Sequence, residues 1–257
     1  MARLIVFIHP NRCIYLRTVI VDQRKMVFNR LILIFIHGAG SSPVVWHIQL
    51  KHFKGNAIAI ELPGHPTGSG YTTIEDYAKA VEKQIKENHV TRPIPVGHSM
   101  GGAVPIELAL RNPDLAGLIL VGTGARLKVH QDILSKLREN YSEACGLVAQ
   151  WSVATTHDPT TVDSIAREML KINPEVTYGD FIACDRFDRM KEVEGIHCPT
   201  LILCGADDRL TPPKYSQYLH ERIPGSRLVV ILGGGHGVML EKHREFGDAI
   251  ATFLTSL

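Results

Sequence analysis

Six consecutive residues carry the strongest chemical signal in this 257-residue chain: Gly97-His98-Ser99-Met100-Gly101-Gly102. They follow the apolar run 94–96 and open a helical pattern over 100–111. A Gly-x-Ser-x-Gly sequence at a strand-to-helix turn presents its serine as a nucleophile. The turn is so tight that the residues two places either side must lack side chains, and Gly97 and Gly101 meet that demand. The strain lifts Ser99 out at the carboxyl end of its strand, while the first amides of the new helix face developing negative charge. Taken alone, the same residues also suit an ordinary Gly-Ser loop.

Three further segments each follow an apolar run. His37-Gly38-Ala39-Gly40 follows 31–36, and so small a turn lets a backbone N–H come close to a substrate oxygen. With the serine turn it offers the amides of Ala39 and Met100 as an oxyanion hole. Gly205-Ala206-Asp207-Asp208 follows 200–204, and Gly233-Gly234-Gly235-His236 follows 228–232. Each puts an ionisable residue just past the carboxyl end of a core strand, where open α/β sheets bind ligands. Serine is a weak nucleophile near neutrality and needs a base, and an imidazole base needs a carboxylate to fix its tautomer. Ser99, one of Asp207 or Asp208, and His236 supply these in chain order. The remaining aspartate suits a turn.

The elements that must position these groups are short β-rich runs alternating with longer helical patterns. Strands are expected at 3–8, 14–21, 31–36, 57–61, 94–97, 118–121, 200–204 and 228–232. From Leu31 onward they are nearly all apolar, which implies burial on both faces and therefore a parallel sheet covered by helices. Helical patterns occupy 74–88, after the candidate caps Thr72 and Thr73, and 100–111, 214–223 and 239–254. This alternation predicts an α/β fold with a doubly wound, mostly parallel sheet. It breaks once. From Thr123 to Val193 no strand is expected, and helices are read at 130–140, 143–151, 160–172 and 175–183. A helical block of that length exceeds one crossover and implies an insertion over one end of the sheet.

The sequence resembles the α/β-hydrolase superfamily, specifically its capped, esterase-like members, over nearly the whole span 31–257. The oxyanion turn matches HGAG, the nucleophile turn GHSMGG, the acid-bearing loop GADDRLTP and the base GGGHGVMLEK. The resemblance selects Asp208 rather than Asp207 as the acid, and Ser99, Asp208 and His236 as the catalytic triad. It implies a core of 1–122 and 194–257 with a helical cap inserted at 123–193. Glu61-Leu62-Pro63-Gly64-His65 is similar to the family's D-x-P-G-H turn, with Glu61 in place of aspartate, and that turn is structural. Two departures stand out. The first thirty residues are unlike the family's opening strands, and Pro66 and Pro105 replace more permissive residues. Pro105 is expected to kink the helix after Ser99.

A serine nucleophile excludes relatives of this fold that attack through aspartate. It implies an acyl-enzyme that water then hydrolyses, acting on carboxylic esters of small to medium acyl chains, with no cofactor. The alternatives are a carbon–carbon bond, lactone or amide hydrolase with the same triad, or a non-catalytic small-molecule receptor. Candidate substrate contacts are His37, Gly38, Trp46, His98, Trp151 and Met239; Trp46, His98 and Met239 better suit packing, and Trp151 suits a cap-to-sheet contact equally. The run Asp185, Arg186, Asp188, Arg189 is expected on a solvated face.

Composition narrows the rest. With 45% hydrophobic and 21% charged residues and a net charge of +2, the chain has an ordinary globular balance and no basic stripe for nucleic acid. Its five cysteines form no C-x-x-C pair, and its thirteen histidines no zinc-type cluster, so no metal and a reduced, cytoplasmic setting are expected. No apolar run is long enough to span a membrane, and the opening MARLIVFI reads as a strand rather than a signal peptide. The expected partner is a small ester substrate, with the chain as monomer or homodimer.

Overall fold

The computed structural model describes residues 31–111, 114–154 and 159–257. The strands expected at 3–8 and 14–21 lie outside the described residues. Six strands form one parallel sheet: β1 (Ile32–Ile36), β2 (Ala57–Ile60), β3 (Pro93–His98), β4 (Leu118–Val121), β5 (Thr200–Gly205) and β6 (Arg227–Ile231). Their order is β2-β1-β3-β4-β5-β6. The doubly wound, parallel α/β architecture is therefore observed.

The apolar strand sequences explain the layering. On β1, Ile34 and Ile36 point into one hydrophobic cluster and Leu33 and Phe35 into another. Both faces are thus dry, which is why the strand is apolar without alternation. The first cluster holds Tyr77 and Val81 of α2 (Ile74–Glu87), Val104 of α3 (Met100–Arg111) and Leu219 of α8 (Pro213–Arg222). The second holds Trp46, which leads into α1 (His47–His52), and Phe246 and Ile250 of α10 (His243–Leu254). Central β3, β4 and β5 are buried throughout, whereas the edge strand β6 is only partly covered and is buried at Ile231 alone.

Between β4 and β5 come four helices: α4 (Gln131–Glu139), α5 (Tyr141–Ser152), α6 (Pro159–Met169) and α7 (Pro174–Arg186). They share a cluster of their own around Leu137, Cys145, Val148 and Met169. The end of α7, through Ala183, Cys184 and Phe187, joins the main core instead.

Local chemistry sets the boundaries. Thr73, not Thr72, caps α2, its Oγ1 accepting from the Asp76 N–H at 3.3 Å. One expectation is corrected, and two elements are new. The helix read as 239–254 is divided into α9 (Val238–Glu241) and α10, because Lys242 leaves helical geometry at φ −125° and ψ 46°. A short 3₁₀ turn (Pro43–Trp46) and α1, neither foreseen, fill the crossover from β1 to β2. Pro105 sits inside α3, which continues as one helix to Arg111.

Among the described residues no helix is long and apolar enough to cross a membrane. Nor is any group of three or more His, Cys, Asp or Glu side chains placed to hold a metal.

Candidate active site

The sheet order reverses beside β1, because β2 lies on one side of it and β3 on the other. Such a switch point opens a crevice at the carboxyl ends of the strands. Register brings Ile36 opposite Gly97, so the turns after β1 and β3 emerge side by side there.

Ser99 occupies the left-handed region at φ 55°, uncommon for a residue with a side chain. The two glycines around it are dictated by backbone contact. A Cβ on Gly97 would lie 1.9 Å from the Gly101 carbonyl oxygen, and one on Gly101 would lie 2.3 Å from that of His37. The strained turn is held by its surroundings: the Ser99 N–H donates to the Val121 carbonyl at 2.9 Å, and the Thr123 hydroxyl donates to the Ser99 carbonyl at 2.8 Å.

Past β6, His236 is buried, and its Nδ1–H donates to Asp208 Oδ2 at 2.9 Å. That leaves Nε2 as the acceptor nitrogen of the neutral ring. Asp208, past β5, is buried and its carboxylate is fully engaged. Oδ1 accepts from the N–H groups of Leu210 (2.9 Å) and Thr211 (2.8 Å), and Oδ2 also accepts from the Thr211 hydroxyl at 2.9 Å. Burial acts to raise the Asp208 pKa, but the charge and hydrogen bond of His236 and the Thr211 donors outweigh it and hold the carboxyl below its ordinary value. Asp207 is exposed, and its backbone N–H donates to the Gly234 carbonyl at 2.9 Å. The structure therefore pairs Asp208, and not Asp207, with His236.

Ser99 and His236 line one cavity of about 650 Å³ beneath the inserted helices. Gly38, Ala39, His98, Trp151 and Met239 also border it. His37 and Trp46 do not. Trp46 is fully buried 4.8 Å from Phe35 and serves the core. His37 is fully buried as well: its Nδ1–H donates to the Gly38 carbonyl at 3.0 Å, and its Nε2 accepts from the Leu62 N–H at 3.3 Å. One donor and one acceptor define a neutral ring, and burial, reinforced by the nearby His65, lowers its pKa to about 3.

The turn 37–40 passes over Ser99 so closely that a Cβ on Gly38 would lie 3.2 Å from Ser99 Cβ. Among the described residues no backbone carbonyl accepts from the N–H of Ala39 or Met100.

Several site residues carried no clear sequence signal. Thr211 belongs to the GADDRLTP loop, and its place three residues past Asp208 was the one hint of an Asx-type turn. Glu241 accepts from the Gly235 N–H at 2.7 Å and the Ala154 N–H at 2.8 Å, tying the histidine loop to the end of α5. Asp180, on α7, is fully buried and bonds to Gly40, His65 and Tyr77. Within the charged run, Asp185 pairs with Lys128 and Arg189 with Glu75 and Glu107, so neither faces the cavity.

Comparison with known proteins adds four findings. A family model described as "Alpha/beta hydrolase family" matches residues 33–249. A pimeloyl-[acyl-carrier protein] methyl ester esterase from Neisseria meningitidis is 28% identical over 239 residues, spanning 85% of this chain and 75% of that protein. The solved structure of a thermophilic esterase is 36% identical with a TM-score of 0.78, covering 87% of this chain and 89% of the other. The enol-lactonase from Burkholderia xenovorans LB400 superposes with a TM-score of 0.82 at 22% identity, over 88% of this chain and 92% of its own, a likeness of fold.

Proposed function

The chain belongs to the alpha/beta hydrolase family, and on that premise we propose that it is a serine carboxylesterase acting on esters of small to medium acyl chains. The observation that carries this is the His236–Asp208 pair at 2.9 Å, opening on the same cavity as a Ser99 held at φ 55°. Esterase relatives support the choice of bond.

In this reading each residue has a defined step. Ser99 Oγ adds to the ester carbonyl carbon while its proton passes to His236 Nε2. The carbonyl oxygen becomes an oxyanion facing the N–H groups of Ala39 and Met100. Collapse expels the alcohol, which takes the proton from His236, and leaves an acyl-Ser99 ester. Water, deprotonated by His236, repeats the sequence and releases the acid. Asp208 stays ionised, holding the imidazole tautomer and stabilising the imidazolium. In this scheme α4–α7, within 123–193, form a cap, and 1–122 with 194–257 form the catalytic core. The cavity volume of about 650 Å³ lies within the usual range for small-molecule sites.

The test is turnover of a graded series of p-nitrophenyl esters, with lactones and anilides alongside. Ser99→Ala abolishes it, and a fluorophosphonate labels the unaltered protein at Ser99 alone. Ester turnover that survives Ser99→Ala removes the assignment.

A further inference from the structure

The turn 37–40 is anchored from both sides, and the two anchors come from different parts of the chain. On the core side, the His37 ring holds the Gly38 carbonyl at 3.0 Å. That carbonyl shares a planar peptide with the Ala39 N–H, so fixing one aims the other. The next peptide unit ends in the Gly40 N–H, which donates to Asp180 Oδ2 at 2.8 Å. Asp180 comes from α7, in the helices inserted between β4 and β5. The amide of Ala39 thus lies between two immobilised carbonyl and amide groups.

Asp180 is itself locked. Oδ2 also accepts from His65 Nε2 at 2.8 Å, and Oδ1 accepts from the Tyr77 hydroxyl at 2.5 Å. The other His65 nitrogen faces the Pro63 carbonyl at 3.0 Å. Both ring nitrogens therefore meet acceptors, the pattern of an imidazolium, and His65 and Asp180 make an ion pair with no solvent exposure. A buried carboxylate satisfied by three donors rigidifies its surroundings, because breaking any one bond strands a polar group away from water. Gly40 packs directly under α7: it is at φ 58°, and a Cβ there would lie 2.9 Å from Thr177 Cγ2.

We propose that Asp180 is a positioning residue for the reaction: it reaches from the inserted helices to clamp the Gly40 amide and so sets the Ala39 N–H where the oxyanion forms. This rests on the esterase assignment. It makes the seating of α7 part of the catalytic geometry, not only a roof over the substrate.

The experiment compares Asp180→Asn with Tyr77→Phe. Both touch the same carboxylate, but Tyr77 bonds to Oδ1, away from the oxygen that holds Gly40. For each variant, kcat and KM on a p-nitrophenyl ester, the thermal midpoint, and affinity for a trifluoromethyl ketone are measured. Ser99 Oγ adds to the ketone carbon as its proton passes to His236, leaving a tetrahedral oxyanion that reports on the hole. Asp180→Asn is expected to lower kcat by at least about tenfold with KM within about threefold, and to weaken the ketone by a similar factor. Tyr77→Phe is expected to lose thermal stability yet keep kcat within about twofold. Equal loss of stability with kcat kept in both variants overturns the inference. If Asp180→Asn does not accumulate as folded protein, hydrogen exchange in the unaltered protein decides: strong protection of the Gly40 amide supports the clamp, and exchange at the rate of a free loop overturns it. Unaltered protein without turnover overturns the esterase assignment, and this inference with it. Turnover that Ser99→Ala abolishes and Asp180→Asn leaves intact overturns the inference alone.

Discussion

His98 Nε2–H donates to the backbone carbonyl of His236 at 2.9 Å. The residue before Ser99 thereby fixes the main chain of His236. Burial, and then the charge of His236, lower the His98 pKa to about 3, so its ring stays neutral and its donor stays aimed. His98→Leu leaves that carbonyl without this donor and frees the His236 loop. A fall in kcat of about tenfold with KM nearly unchanged is expected, and His98→Gln, which restores a donor, recovers most of it. Steady-state kinetics on a single chromogenic ester measure both.

The two neighbouring aspartates should part company completely. Asp208→Asn places an amide where His236 needs a carboxylate and lowers kcat on the order of 10⁴-fold. Asp207→Asn, at an exposed position, changes it by less than about twofold. Thr211→Val removes one of the donors to Asp208 Oδ2 and falls between them. A reversed order for the aspartates would show that the 2.9 Å pair is not the working one.

Stability should fall on acidification before any carboxylate titrates. His37 and His98 are held neutral, their pKa lowered from 6.5 to about 3, so their contribution is complete above 6.5 and is lost as pH drops below it. Asp208, held below its ordinary value, adds stability that disappears only at lower pH, through its folded pKa. His65 works in the opposite direction. Burial opposes its charge, Asp180 outweighs burial, and the raised pKa gives stability that is complete below 6.5 and lost as pH rises through the folded value. Urea unfolding across this range, repeated on His98→Gln, should show a shallower acid slope in the variant by about one proton.

Glycine substitutions should divide by what a Cβ would meet. Gly97→Ala drives a Cβ into the Gly101 carbonyl at 1.9 Å, backbone against backbone, and costs about 4 kcal/mol or more, or prevents folding. Gly146→Ala lies inside α5 with nothing within 4 Å and stabilises by about 0.5–1 kcal/mol. Urea midpoints decide both.

The sheet was legible because strands buried on both faces must be apolar throughout: 118–121 is matched at both ends, and 31–36 and 200–204 within one residue. Gly97, Ser99 and His236 announce themselves by local rules of turns and strand ends. What stayed hidden acts at long range. The aspartate at 180 reads as one polar residue on a helix, and nothing near it in sequence points to Gly40 or His65. His37 sits in the expected turn, yet only the Leu62 N–H beyond it shows that the ring faces the core. Trp46 likewise ends the 3₁₀ turn that leads into α1, elements too short for a helical period to show.

The pairing of β4 with β5, Leu118 opposite Thr200, closes around all four inserted helices. Closing so long a loop costs entropy before any sheet contact repays it, so this pairing belongs to the slow end of assembly. Ser99 lies before the loop, and Asp208 and His236 after it. A chain emerging from denaturant therefore gains its helices well before it can turn over an ester. Recovered activity, timed against recovered helicity, becomes a clock for that one closure.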